Sequence, residues 1–275
     1  MSAFAKISPI QGQSDFPVLI TSENFKLKTF TFSQNLQTHH LAIRKANGIC
    51  VSNSPTTTTT ASVHRQNPNL DICKLCLLGN IERALQYLES MRELKISVAE
   101  DAYIALLPLC EWKRARNEGS RVYTCVSKSI TLLSLPLGNA LLSTFVRFGN
   151  LVDAWYVFGR MTERNLFSWN VLIGGYAKAG FFDEALNLYH RMLWVGVRPD
   201  VYTFPCVLRT CGGMPDLVRG REIHVHVSRY GFESDVDVVN AFITMYVKCG
   251  DVDTARLVFD KMPNRDRISW NAMII

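Results

Sequence analysis

The 275-residue chain has no apolar run near the ~18 residues that a membrane-spanning helix needs, so no membrane association is expected. Acidic residues are scarce at one end, where residues 1–64 hold five lysines and arginines but only Asp15 and Glu23. A compact secreted cysteine framework is also missing. The eight cysteines, at 50, 73, 76, 110, 125, 206, 211 and 249, fall mostly inside helical patterns and point to a reducing compartment. A complete zinc ligand set is lacking too. Cys73 and Cys76 form a C-x-x-C with no second pair at finger spacing, and His224 and His226, two apart on a helix, face different ways. No metal and no cofactor is expected. Bulk charge is modest: the formal net charge is +6, and beyond residue 64 there are 25 basic against 22 acidic residues. That permits a nucleic-acid partner but argues against binding by charge alone.

What is present divides the chain in two. Residues 1–64 are rich in Ser and Thr, include the run Thr56 to Thr60, and hold no helical or strand period. They read as an organellar transit peptide, with an ordinary disordered tail as the alternative. Arg44 is the only arginine before Arg65, which disfavours the Arg-rich mitochondrial type. The chloroplast is therefore the first expectation for localisation, and the mitochondrion the second.

From Arg65 onward the sequence repeats itself, and its clearest unit is residues 166–200. Trp169, Leu172, Ile173 and Tyr176 mark one helical face, and Gly180 ends that helix. Asp183 and Glu184 then open a second helix carrying Ala185, Leu188, Tyr189 and Met192, which Gly196 and Pro199 close. A helix pair of this size cannot bury both stripes alone and needs stacked copies.

The copies return at a spacing of 101 residues without gaps: Asn69, Gly79, Ala84 and Met91 recur as Asn170, Gly180, Ala185 and Met192. Likewise Asn139, Gly149, Ala154 and Met161 recur as Asn240, Gly250, Ala255 and Met262. Each period divides into pairs of 35, 35 and 31 residues: 65–99, 100–134 and 135–165, then 166–200, 201–235 and 236–266. Residues 267–275 restart the first type, and the chain reads as part of a longer array. The expected fold is all-α, a right-handed α-solenoid of stacked helix-turn-helix repeats preceded by a disordered N-terminal segment.

The segments SWNVLIGGYAKAGFFDEALNLYHRM and NAFITMYVKCGDVDTARLVFDKMPNRD resemble the pentatricopeptide repeat family, specifically its plant class with alternating P, L and S motifs, over residues 65–275. That resemblance implies sequence-specific binding of single-stranded organellar RNA, about one base per repeat, with no DNA partner. It also implies that the base is read by the fifth and the last residue of each motif. The pairs are then Asn69 with Ala99, Asn139 with Asn165, Asn170 with Asp200, and Asn240 with Asp266, while Asn271 begins another. U is expected at the two Asn/Asp repeats, and C or U at Asn139/Asn165. The competing structural reading is that each Asn merely caps or hydrogen-bonds the start of its helix. The L motifs place Ile104 with Ser134 and Pro205 with Asp235, and neither Ile nor Pro can hydrogen-bond a base edge.

Arg147, Lys178 and Lys248 share the thirteenth motif position, near the end of a first helix, and suit backbone phosphates, although a cation there also complements the helix dipole. Phe167 and Ile268, at the second position, are candidates for wedging against bases, whereas Trp169 and Trp270 are expected in the core. The resemblance suggests the recognition part of a factor for C-to-U RNA editing or RNA processing, with other editing or processing proteins as further partners. No enzyme activity is expected of this chain, because the H-x-E and P-C-x-x-C signature of a zinc deaminase is absent. Two alternatives stand beside RNA recognition: a solenoid that recruits protein partners, and a fragment with no function on its own.

Overall fold

The computed structural model describes residues 68–274, with side-chain surroundings from Asp71 onward; the expected transit segment lies outside them. Thirteen α-helices occupy the described residues, and the one β feature among them is an isolated bridge between Leu133 and Met161. In order they are α1 (Pro68–Leu77), α2 (Ile81–Glu93), α3 (Glu100–Trp112), α4 (Arg116–Ser129), α5 (Leu135–Phe148), α6 (Leu151–Arg160) and α7 (Leu166–Ala179). There follow α8 (Phe182–Trp194), α9 (Thr203–Gly213), α10 (Leu217–Tyr230), α11 (Val236–Lys248), α12 (Val252–Asp260) and α13 (Arg267–Ile274).

Local chemistry sets the ends of these helices. Gly180 adopts the left-handed conformation, φ +85°, and its N–H donates to the Ala177 and Tyr176 carbonyls, so the chain turns without a Cβ penalty. Side chains of Asn80, Asn150, Asp216 and Asp251 then accept the backbone N–H three residues on, capping α2, α6, α10 and α12. Both expected stripes of α7 and α8 are buried.

Packing makes the array a solenoid. Every helix touches only its own partner and helices of the adjoining pairs. The odd-numbered first helices form an unbroken line of close backbone neighbours from α1 to α13, whereas among second helices only α2 and α4 approach so closely, and α8 meets α10 through side chains such as Tyr189 and His226. Helices that pack more closely on one side than on the other describe a curved stack with the first helices on its inner wall. Close approach is helped by Gly119 and Gly220, where a Cβ would come within 2.6 Å of the Phe148 ring and 2.5 Å of Met245 Sδ.

The two 31-residue units solve a problem of their own. Their second helices, α6 and α12, have 10 and 9 residues, against 13 or 14 in the other second helices. The four missing residues are about one helical turn. Arg164 and Arg265 fill the gap: Nε donates to the carbonyls of Phe158 and Phe259 at 2.8 and 3.1 Å, and a terminal nitrogen to those of Gly159 and Asp260 at 3.2 and 2.8 Å. Each guanidinium also lies over the same phenylalanine ring, 4.9 and 4.8 Å from its centroid. One side chain thus satisfies otherwise unpaired C-terminal carbonyls and adds a cation–π contact.

Trp169 and Trp270 meet Phe158 and Phe259 edge-on, at 4.8 and 4.9 Å. Trp169 is 3% exposed, but Trp270 is 56% exposed, contrary to the expectation that both are core. The reason is packing: α7 has neighbours on both sides, whereas α13 packs only against α11 and α12.

Candidate functional site

Three side-chain clusters recur along the inner wall, each built from three chain segments. In the first, Asn139 Nδ2 donates to Asn165 Oδ1 at 3.4 Å, and Ser168 Oγ reaches Asn139 Oδ1 at 2.6 Å. In the second, Asn170 Nδ2 donates to Asp200 Oδ1 at 2.9 Å, and Thr203 Oγ1 reaches Asn170 Oδ1 at 2.7 Å. In the third, Asn240 Nδ2 donates to Asp266 Oδ1 at 3.2 Å, and Ser269 Oγ donates to Asp266 Oδ1 at 2.8 Å. Each asparagine sits on a first helix, its carboxylate or amide partner lies between helices, and the hydroxyl sits at the start of the next first helix.

The capping role falls on the last residue of each repeat. The Oδ1 atoms of Asn165, Asp200 and Asp266 accept the backbone N–H of Ser168, Thr203 and Ser269 at 3.0, 2.9 and 2.7 Å. The asparagines Asn139, Asn170 and Asn240 are one turn inside their helices and cap nothing themselves; each bonds the residue that caps the next first helix.

This division fixes what each cluster presents outward. Capping holds Oδ1 inward, so Asp200 and Asp266 keep Oδ2, an acceptor, while Asn165 keeps Nδ2, a donor. Each fifth-position asparagine spends one amide hydrogen on that neighbour and retains the other. Hydrogen bonds from the Ser269 backbone, and then from its hydroxyl, hold the Asp266 carboxyl below the usual carboxylate range. It is an acceptor at neutral pH.

The third cluster is incomplete. Asn240 is 5% exposed, and its Oδ1 is a buried side-chain atom with no hydrogen-bond partner. Its hydroxyl neighbour turns to Asp266 instead.

The pairs at 100–134 and 201–235 hold no such cluster. Ile104 and Pro205 occupy the asparagine place, and Leu137 and Val238 the hydroxyl place. Ser134 bonds back to Glu100, and Asp235 caps the N–H of Val238 at 3.0 Å. The first pair has Ala99 and Ala102 where the others have polar groups, and the side chain of Asn69 lies outside the described surroundings. Asn271 is exposed on α13.

The thirteenth-position cations differ among themselves. Arg147 Nε is held by Glu111 at 3.0 Å, with Glu111 itself only 13% exposed. Lys178 is exposed at the end of α7. Lys248 is exposed, and its stem lies over Gly212 of α9, where a Cβ would meet the lysine Cδ at 3.3 Å. Phe167 and Ile268 are 45% and 56% exposed, and Tyr202, at the same motif position, is 73% exposed.

Buried cysteines and the pair His224 and His226 take structural places among the described residues. Burial pushes the thiols of Cys76, Cys110 and Cys211 up to about 11, 12 and 12, which keeps them protonated and unreactive. His224 and His226 face opposite ways and meet Tyr246 and Tyr189 hydroxyls at 2.7 and 2.9 Å.

Sequence reasoning missed Ser168, Thr203 and Ser269. Their signal was available: a hydroxyl stands three residues after Asn165, Asp200 and Asp266, and an apolar residue three after Ala99, Ser134 and Asp235.

An all-α solenoid of helix pairs with a regular polar column on its inner wall defines a helical repeat protein. A model described as the PPR repeat family matches residues 164–213, and one described as PPR repeat matches 72–96, 139–166 and 237–266. The chain belongs to the pentatricopeptide repeat family. It is 61% identical to the pentatricopeptide repeat-containing protein At1g15510, chloroplastic, of Arabidopsis thaliana, over 92% of this chain and 29% of that protein. It is 38% identical to At4g25270, chloroplastic, of the same plant, over 72% of this chain and 38% of that protein. The chain therefore spans about three to four tenths of the curated relatives it matches. Among solved structures it resembles PPR10 in complex with an 18-nt psaJ RNA element, with a TM-score of 0.58, 17% identity, and coverage of 86% of this chain and 34% of that one. It also resembles PPR10 from maize at a TM-score of 0.54 and 22% identity, covering 75% and 31%.

Proposed function

We propose that this chain captures single-stranded RNA in the chloroplast by reading individual bases from its inner wall. The observation that carries this reading is the recurrence of the asparagine cluster, each copy presenting one spare amide hydrogen beside one spare group of fixed polarity. An amide donor next to a carboxylate acceptor matches uracil, which offers a carbonyl and an N3–H on one edge. Cytosine presents an unprotonated N3 there, and a carboxylate oxygen cannot donate to it. Asn170/Asp200 and Asn240/Asp266 are thus uridine readers. Asn139/Asn165 presents two donors and accepts either pyrimidine through its ring carbonyl.

The clusters of Asn139/Asn165 and Asn170/Asp200 belong to consecutive units, and the unread unit 201–235 stands between them and Asn240/Asp266, in keeping with a P, L, S triplet organisation at 65–165 and 166–266. Phe167, Tyr202 and Ile268 offer exposed apolar surface for stacking between bases. Arg147, Lys178 and Lys248 line the helix ends where a phosphate backbone would run. Within a longer protein this would be the address-reading part of an RNA editing or processing factor, with the chemistry supplied elsewhere. Relatives carrying "chloroplastic" in their names support the compartment.

The test is binding of the chain to a short uridine-containing single strand over a salt series. Three phosphate contacts predict a log–log slope of about −2. Binding that ignores both salt and base composition would instead favour a solenoid that recruits protein partners.

A further inference from the structure

The three buried hydroxyls are not accounted for by base reading itself. Ser168, Thr203 and Ser269 are each 0% exposed, so none touches a ligand. A fully buried hydroxyl must be bonded, and all three oxygens accept the backbone N–H of the preceding repeat's last residue, that of Asp266 reaching Ser269 Oγ at 3.1 Å. The backbone N–H of Asn165 donates to Ser168 Oγ at 3.3 Å, and that of Asp200 to Thr203 Oγ1 at 3.1 Å. With the oxygen occupied as an acceptor, the hydroxyl hydrogen faces two acceptors, and for Ser168 and Thr203 the asparagine Oδ1, at 2.6 and 2.7 Å, is nearer than the Oδ1 of the capping residue, at 3.0 and 2.8 Å.

An amide has two ends of similar shape and opposite polarity, and the capping Oδ1 beside it, which can only accept, calls for Nδ2 on its side. A hydroxyl that donates to Oδ1 adds a second hold on the same orientation from the other end of the amide. It holds the oxygen inward and turns Nδ2 toward the last residue and the open wall.

We infer that Ser168 and Thr203 are positioning residues that set base specificity for the preceding repeat by fixing the amide orientation of Asn139 and Asn170. The inference rests on the RNA-reading proposal above and adds a rule of address. The base facing one repeat is governed by a third side chain belonging to the next. Thr203 lies in a unit whose own fifth residue, Pro205, reads nothing, so an unreading repeat holds the reader before it. The pattern across the chain agrees. Hydroxyls follow the three polar pairs, and Ala102, Leu137 and Val238 stand in the same place after the pairs that lack a readable asparagine or a polar last residue.

The experiment uses the full chain with single-stranded RNAs that differ only at the nucleotide facing the repeat of Asn170. Thr203→Val keeps the side-chain shape and removes the hydroxyl; Thr203→Ser restores it. The expected result is that T203V loses about fivefold or more of the uridine-over-cytidine preference at that nucleotide, the effect of one lost hydrogen bond. Its affinity for strands lacking the cognate base and its preference opposite the other repeats hold, and T203S behaves as the parent. Thermal unfolding checks that T203V is folded, and Ser168→Ala, read at the nucleotide facing Asn139, decides the matter if it is not. A parent chain with the uridine preference and a T203V chain retaining it in full would overturn this inference alone. A parent chain with no base preference at that nucleotide would overturn the RNA reading, and the inference with it.

Discussion

The repeats that carry an asparagine cluster and those that lack one share one architecture and differ in three side chains. Asn170, Asp200 and Thr203 tie two helices of adjoining pairs into a polar knot, whereas Pro205, Asp235 and Val238 leave Asp235 with its capping duty alone. Both arrangements bury the first helices equally well, as the core runs unbroken through α7, α9 and α11. The lesson is that stacking and reading are separable. Apolar stripes and caps build the wall, and a few polar atoms with fixed polarity are added to it at intervals.

That separation makes the difference testable, and the largest effect should come from the readers. Asn170→Ala removes the amide donor and leaves the Asp200 carboxylate without its partner, so uridine preference at one nucleotide should fall about tenfold to a hundredfold. Pro205→Ala in the neighbouring unit should alter base preference less than about twofold. Competition binding with single-nucleotide variants of one strand measures both. Equal effects would erase the distinction between the two kinds of repeat.

Next in size is the brace peculiar to the short units. Arg164→Ala deletes two bonds to helix-end carbonyls and a cation–π contact, and should lower stability by about 2 kcal/mol in chemical denaturation. Arg265→Ala should cost less, because the ring system it supports includes a Trp270 that is already half exposed.

A smaller effect separates the cations. Lys248→Ala should flatten the salt dependence of RNA binding by about 0.7 in log–log slope. Arg147→Ala should do less, because Glu111 already holds that guanidinium; Glu111→Gln releases it and should raise affinity about twofold.

The smallest concerns pH and leaves the readers untouched. Burial lowers the pKa of His224 and His226 below the ordinary 6.5, so the unfolded chain takes up protons first as pH falls. Their contribution to stability is present above pH 6.5 and is lost as pH drops from there toward the folded values. Thermal midpoints on the acid side of 6.5 should therefore drop, and drop less in a chain carrying both His224→Gln and His226→Gln.

Much of this was legible in the sequence because it is local. The stripe Trp169, Leu172, Ile173, Tyr176, the stop at Gly180 and the acids at 183 and 184 lie within one or two helical turns of what they act on. What escaped is carried by contacts between units. Thr203 finds Asn170 thirty-three residues away, and Glu111 finds Arg147 across α3 and α5. Trp270 was misplaced for the same reason: its stripe is that of Trp169, and only the number of neighbouring helices distinguishes them. Periodicity shows which face is buried; it does not show which polar atoms meet once two units are stacked.

The central claim is most directly tested by exposing the chain to a randomised pool of single-stranded RNA and sequencing what it retains. The account predicts uridine enriched at the nucleotides facing Asn170 and Asn240, either pyrimidine at the one facing Asn139, and no selection opposite Ile104 or Pro205. A pool retained without sequence preference, or one selected opposite Ile104 and Pro205, would contradict it.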